Sequence, residues 1–270
     1  MTTVATALCR LFKPALLAGM LLLVSQASLA DWRRVIVTDN LTLTPLARIN
    51  KNHGFFTQGL TVDNNVFFES NGQYGQSTLC RSKILNQNLT QPQCHSIRAD
   101  FFAEGITIIN DSVFQLTWRE NTLIEYHKKT LEPIKSYHYS GQGWGLTNNK
   151  RYFIMSDGSS SIQLRNLATF NTERTLPIRH NDKPLSKINE LEWINNRLWA
   201  NQWHSDSIFL IDLSNGQVDE VIDFSHLLAT KLRPHSQAVL NGIAFDKANN
   251  QLYITGKHWP YYYLYQLTEH

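Results

Sequence analysis

A tetrapeptide pattern recurs five times along the chain and leaves few folds open to it. Gln58-Gly59-Leu60-Thr61, Glu104-Gly105-Ile106-Thr107, Trp144-Gly145-Leu146-Thr147, Asn189-Glu190-Leu191-Glu192 and Asn241-Gly242-Ile243-Ala244 start 46, 40, 45 and 52 residues apart. Self-similarity at such a period marks repeat architectures. Each copy is followed by a β-rich run: Val66 to Phe68, Val113 to Leu116, Tyr152 to Met155, Leu198 to Ala200 and Leu252 to Ile254. Asn-containing pairs precede these runs, from Asn64-Asn65 to Asn249-Asn250. Asn tolerates the positive φ that tight hairpins require. A third run follows in each unit: Thr78 to Cys80, Leu123 to Tyr126, Ile162 to Leu164, Ile208 to Ile211 and Tyr263 to Tyr265. A fourth lies near Cys94 to Ile97, Ile134 to Tyr139, Thr172 to Ile178 and Val218 to Phe224. The last unit reaches His270 without one, and Leu41 to Ile49 is left to supply it. The pattern predicts an all-β fold over residues 31–270. It is a five-bladed β-propeller of four-stranded antiparallel blades, its ring closed by an N-terminal strand that completes the last blade and protects its edges.

Residues 1–30 stand outside the repeats. Arg10 and Lys13 precede an apolar run, Pro14 to Val24, and Ser28-Leu29-Ala30 puts small residues where a signal peptidase reads. The run is shorter than the roughly 20 residues a membrane span needs. The segment therefore reads as a secretory signal cleaved after Ala30. The mature protein is expected to be secreted or periplasmic, with no membrane attachment. Cleavage leaves 23 basic and 22 acidic residues, a net charge of +1, which gives no electrostatic case for nucleic-acid binding. Hydrophobic residues at 42% against charged residues at 17% exclude intrinsic disorder. Two cysteines remain, Cys80 and Cys94, and in an oxidising compartment they are expected to form a disulfide. No Cys-x-x-Cys or His-x-x-x-His spacing points to a metal, and a closed ring makes a monomer the default.

Repeat symmetry locates a site. The first strand of each propeller blade lines the central channel, so the residues opening the repeats, Gln58, Glu104, Trp144, Asn189 and Asn241, should converge at one end. The second strand runs back antiparallel and ends at the same face. A second ring follows there: Asn71, Trp118, Asp157, Trp203 and Lys257. Carboxylates, amides, a lysine and tryptophans on one face favour a small-molecule pocket over plain packing. Taken singly, any of these tryptophans is as readily blade-to-blade core, and Glu104 and Lys257 could simply pair.

The motifs also carry a resemblance. Phe56-Thr57-Gln58-Gly59-Leu60, Phe68-Glu69-Ser70 with Tyr74-Gly75, Glu104-Gly105-Ile106-Thr107, Leu116-Thr117-Trp118, Gly143-Trp144-Gly145-Leu146-Thr147, Met155-Ser156-Asp157-Gly158, Asn189-Glu190-Leu191-Glu192 and Thr255-Gly256-Lys257 with Trp259-Pro260 span nearly the whole mature chain. Together they resemble the glutaminyl-peptide cyclotransferases (glutaminyl cyclases) of the plant and bacterial type. One departure is Phe102-Ala103-Glu104-Gly105, where that family has Phe-Gly-Glu-Gly. Ala restricts the backbone slightly more than Gly. The resemblance implies a five-bladed propeller. It implies conversion of N-terminal glutamine to pyroglutamate with loss of ammonia, on peptide or protein substrates, with no cofactor and no metal.

By the same resemblance Glu104 is the general acid/base, and Asn189 and Lys257 are the catalytic donors to the developing oxyanion. Gln58 binds the substrate's polar groups. Phe56, Phe102, Trp118, Trp144 and Trp203 form the aromatic pocket that folds the glutamine into an attacking shape. Glu69 falls before its strand end and reads as readily as structural. Glu190 and Glu192 share a face opposite Leu191 and, in the simplest register, opposite Asn189. Asp157 reads as a turn cap with Gly158. The competing class is a non-catalytic secreted propeller that binds a peptide or small ligand, since fold does not imply function. Other hydrolase classes lack support, with neither a Gly-x-Ser-x-Gly elbow nor a Walker loop present.

Overall fold

The computed structural model describes residues 32–51, 54–85 and 88–270. The proposed leader, residues 1–30, lies outside the described residues. Five antiparallel sheets stand around a central axis. Their innermost strands are Thr57–Asp63, Ala103–Ile109, Leu146–Asn148, Ile188–Ile194 and Leu240–Asp246. These pack side by side in that order, and the fifth returns to the first. The blades are numbered 1 to 5 accordingly.

The second strands, Val66–Asn71, Ser112–Thr117, Tyr152–Ser156, Arg197–Gln202 and Gln251–Gly256, contain every β-rich run read from the sequence. The hairpin into the second strand of blade 1 turns on Asn64 and Asn65 (φ 50° and 61°), and that of blade 4 on Asn195 and Asn196 (φ 47° and 66°). Blade 3 departs from the expected turn: Lys150, not Asn148 or Asn149, takes the positive φ of 66°. The closing strand, Leu41–Asn50, runs antiparallel to Tyr261–Glu269, from Leu41 opposite Glu269 to Asn50 opposite Tyr261. Its register shifts between Pro45 and Ala47, where proline has no N–H for the ladder.

Three blades exceed the four-strand plan or break it. Ile36–Val37 adds a fifth strand outside the closing strand. In blade 1 the outer strand is split into Asn88–Leu89 and Gln93–Ser96. In blade 4 a short hairpin, Arg179–His180 with Lys183–Pro184, docks on the outer strand through a parallel contact. A disulfide joins Cys80 to Cys94, which sit opposite each other on the outer strands of blade 1.

The core lies between the blades, because each sheet buries both faces against its neighbours. Five apolar clusters correspond to five blade interfaces. Phe114 and Leu116 of blade 2 pack with Phe153, Met155 and Phe170 of blade 3, and Tyr253 and Tyr262 of blade 5 pack with Leu60 and Phe67 of blade 1.

One local irregularity repeats with the blades. The register between first and second strands slips at Thr57/Gly59, Ala103/Ile106, Ile188/Leu191 and Leu240/Ile243. Blade 3 shows the same feature through its main chain. There Trp144 N donates to Ser156 O and Ser156 N donates to Gly145 O, both at 3.0 Å. Such bulges re-aim a side chain that strict alternation would send elsewhere. They fall at Gln58, Glu104, Trp144, Asn189 and Asn241.

Candidate active site

At one end of the channel the bulges open a cavity of about 530 Å³. It is lined by Gln58, Glu104, Asn189 and Lys257, by Phe56, Phe102, Trp118, Trp144 and Trp203, and by Arg119, Gln142 and Gln237. The structure thus brings together the catalytic and substrate-binding residues expected from the sequence. The polar four are buried and form the floor, and the five aromatic residues are half-buried and form the walls. Three ring members lie elsewhere. Asn241 donates from Nδ2 to Thr57 O, Asn71 donates to Thr78 Oγ1, and Asp157 closes a turn by accepting from Ser159 N.

Glu104 sits where blade 2 meets blade 3. Gly105 N donates to Trp144 O at 2.7 Å, and a side chain on Gly105 would lie 2.4 Å from Leu146 N. Ala103 fits at this place, fully buried, its N–H donating to Ser77 Oγ. Gln58 Nε2 donates to Glu104 Oε1 at 3.1 Å. Burial pushes the Glu104 carboxyl well above the usual carboxylate range, the Lys257 ammonium pulls it back, and Glu120 adds to the rise. Burial brings Lys257 down to about 8, against the pull of Glu104. Its Nζ lies 4.7 Å from the centroid of Phe56, a cation–π contact. Gln58 Oε1 and Asn189 Oδ1 are buried without a hydrogen-bond partner among the described residues.

Polar contacts fix the walls. Trp118 Nε1 and Trp144 Nε1 both donate to Gln142 Oε1, at 2.7 and 3.1 Å. One carboxamide oxygen therefore sets two indoles. Trp144 meets Trp203 edge to face at 5.8 Å, and Phe102 meets Trp118 at 5.6 Å. Glu120 fixes Phe102 and Tyr74, accepting from Phe102 N and Tyr74 Oη.

Glu69 is outside the cavity. Its Oε1 accepts from Lys51 Nζ at 2.8 Å and from Thr57 Oγ1 at 2.6 Å, and its Oε2 accepts from Tyr262 Oη at 2.5 Å. Lys51 also donates to Thr57 and to Gly256 O. This buried group braces the neighbours of Gln58 and Lys257 at the seam between blades 5 and 1. Glu190 lies deeper in the channel, accepting Leu60 N and Ile243 N. Sequence reading missed Arg119, Gln142 and Gln237, which lie in loops off the repeat positions, and Lys51 and Tyr262, which carry no motif. Among the described residues, no three His, Cys, Asp or Glu side chains converge as a metal-ligand set.

Known proteins place the chain in a family. The sequence model of the glutamine cyclotransferase family matches residues 17–267. Glutaminyl-peptide cyclotransferase of Arabidopsis thaliana is 33% identical over 218 residues, which cover 79% of this chain and 68% of that protein. The crystal structure of glutaminyl cyclase from Myxococcus xanthus superimposes with a TM-score of 0.77 at 31% identity, covering 84% of this chain and 97% of that one. A family model that matches most of the chain, together with relatives 33% and 31% identical over most of its length, means that this chain belongs to the glutamine cyclotransferase family.

Proposed function

We propose that the cavity cyclises the N-terminal glutamine of peptides and proteins to pyroglutamate, with Glu104 as the general acid/base. The observation that carries the reading is a buried carboxyl, hydrogen-bonded by Gln58 and facing Lys257, on the floor of an aromatic cavity. The α-amine attacks its own side-chain amide carbon. A C–N bond forms, the amide C–N bond breaks, and ammonia leaves. The amine must be neutral, and its ordinary pKa of about 7.7–8.0 allows this near neutrality. Ionised Glu104 takes a proton from the attacking nitrogen and returns it to the leaving one. Its raised proton affinity suits both transfers. Asn189 and Lys257 offer donors to the carbonyl oxygen as it becomes negative. The aromatic walls hold the flexible glutamine folded and exclude water, so proximity carries much of the rate.

The test is ammonia release from a Gln-initiated dipeptide, with and without a strong chelator. Release that survives the chelator supports cyclisation without a metal. Binding of the dipeptide with no release, by folded protein, would reduce the cavity residues to ligand contacts. The working form is proposed as a secreted or periplasmic monomer that starts at Asp31. N-terminal sequencing of the exported protein is expected to read Asp31-Trp32-Arg33, and an intact leader would overturn that part.

A further inference from the structure

A substrate bound by its first residue must leave the cavity through the mouth, so its following residues pass the rim. Two cations stand there. Arg119 lines the cavity, its guanidinium carbon 3.7 Å from the centroid of Trp118. Lys187 stands at the other wall, its Nζ 5.8 Å from the centroid of Trp203. Neither makes an ion pair among the described residues. The loops joining second to third strands on this face carry three carboxylates, and all are engaged. Glu120 accepts from Tyr74 and from the main chain of Phe102. Asp157 accepts from Ser159 N and Gln163 Nε2. Asp206 pairs with Arg233 at 2.6 Å. The carboxylate that lines the cavity, Glu104, lies on the floor.

Stacking on Trp118 engages the flat face of the guanidinium and leaves its N–H edge available for a planar acceptor. We propose that Arg119 forms a carboxylate subsite at the mouth. The enzyme then favours substrates with a negative charge just beyond the N-terminal glutamine. That charge is an acidic side chain at the second or third residue, or the terminal carboxylate of a dipeptide. The subsite rests on the cyclase activity proposed above and names its preferred substrate class. A charge-assisted contact at a solvated rim corresponds to a preference of about three- to tenfold in kcat/KM, weakening as salt screens it.

The experiment compares kcat/KM for Gln-Glu-amide, Gln-Ala-amide and Gln-Lys-amide, with Gln-Ala free acid as a fourth substrate, at low and high salt. The expected order is Glu above Ala above Lys, converging in high salt. A faster free acid than amide identifies the terminal carboxylate as a second source for the same subsite. In Arg119→Gln the Glu-to-Lys ratio falls towards one, and Arg119→Lys retains part of it. Equal values for all amidated peptides, or a ratio that survives Arg119→Gln, overturn the subsite while leaving cyclisation in place. Absence of ammonia from every peptide overturns the cyclase reading and the subsite with it.

Discussion

The polar residues on the floor are held by different means, and their chemistry follows from that. Glu104 and Lys257 are buried charges that moderate one another, each displaced towards neutrality by loss of water. The signs give a pH profile. As pH rises, Glu104 ionises well above the ordinary carboxylate range and kcat rises with it. Through about 8, Lys257 loses its proton, and kcat falls as a charged donor disappears. Steady-state kcat at saturating substrate checks this, and a profile flat through the alkaline side would contradict the role given to Lys257. Gln142 makes a second case. Gln142→Leu frees two indoles, and KM is expected to rise about three- to tenfold, in line with the loss of about one net hydrogen bond, with a smaller change in kcat. Gln142 was not legible in the sequence because it sits in a loop two residues before the repeat position Trp144. Glu104 was legible because it opens a repeat.

At the scale of the strand, the bulge decides what alternation cannot. Strict alternation puts Asn189 and Glu190 on opposite faces. The slip between Ile188 and Leu191 instead sends Asn189 into the cavity and Glu190 into the channel, against the main chains of blades 1 and 5. Hydrophobic pattern reports which strands exist and leaves such slips invisible. The Asn turns were legible for a chemical reason, and Lys150 was not, because lysine carries no preference for positive φ. Gly145 matters here for close approach: a methyl group there would lie 2.0 Å from Asn189 O. Gly145→Ala is therefore expected to cost about 1–3 kcal/mol of stability and to lower activity further by shifting Asn189. Thermal unfolding with parallel kcat measurement checks this, and a variant with wild-type melting and turnover would contradict the packing described.

For the molecule as a whole, the site depends on closing the ring. The strand Leu41–Asn50 brings Lys51 to Glu69, and Tyr262 arrives from the other end of the chain. Glu69→Ala leaves the Lys51 ammonium buried and unpaired, an expected loss of about 3–5 kcal/mol in urea unfolding; a loss below about 1 kcal/mol, the range of surface pairs, would contradict the role of the seam. The closing strand was legible because the fifth repeat lacked a partner. The seam was not, since nothing in an isolated Lys51 announces a partner eighteen residues away. Burial raises the channel carboxyls Glu190, well above its ordinary value, and Glu192, to about 8. A carboxyl that holds its proton more tightly when folded adds stability below its unfolded pKa of about 4.3, and that stability is lost as pH rises through the folded value. The melting temperature is thus expected to decline from about pH 5 towards about 8, and calorimetry across that range checks it. The central claim is that one buried carboxyl moves the proton in glutamine cyclisation. Glu104→Gln keeps the shape and an oxygen to accept from Gln58. With circular dichroism and melting close to wild type, its ammonia release from a Gln-initiated dipeptide should fall by about 10²–10⁴-fold; turnover within tenfold of wild type would assign the proton transfer to another group.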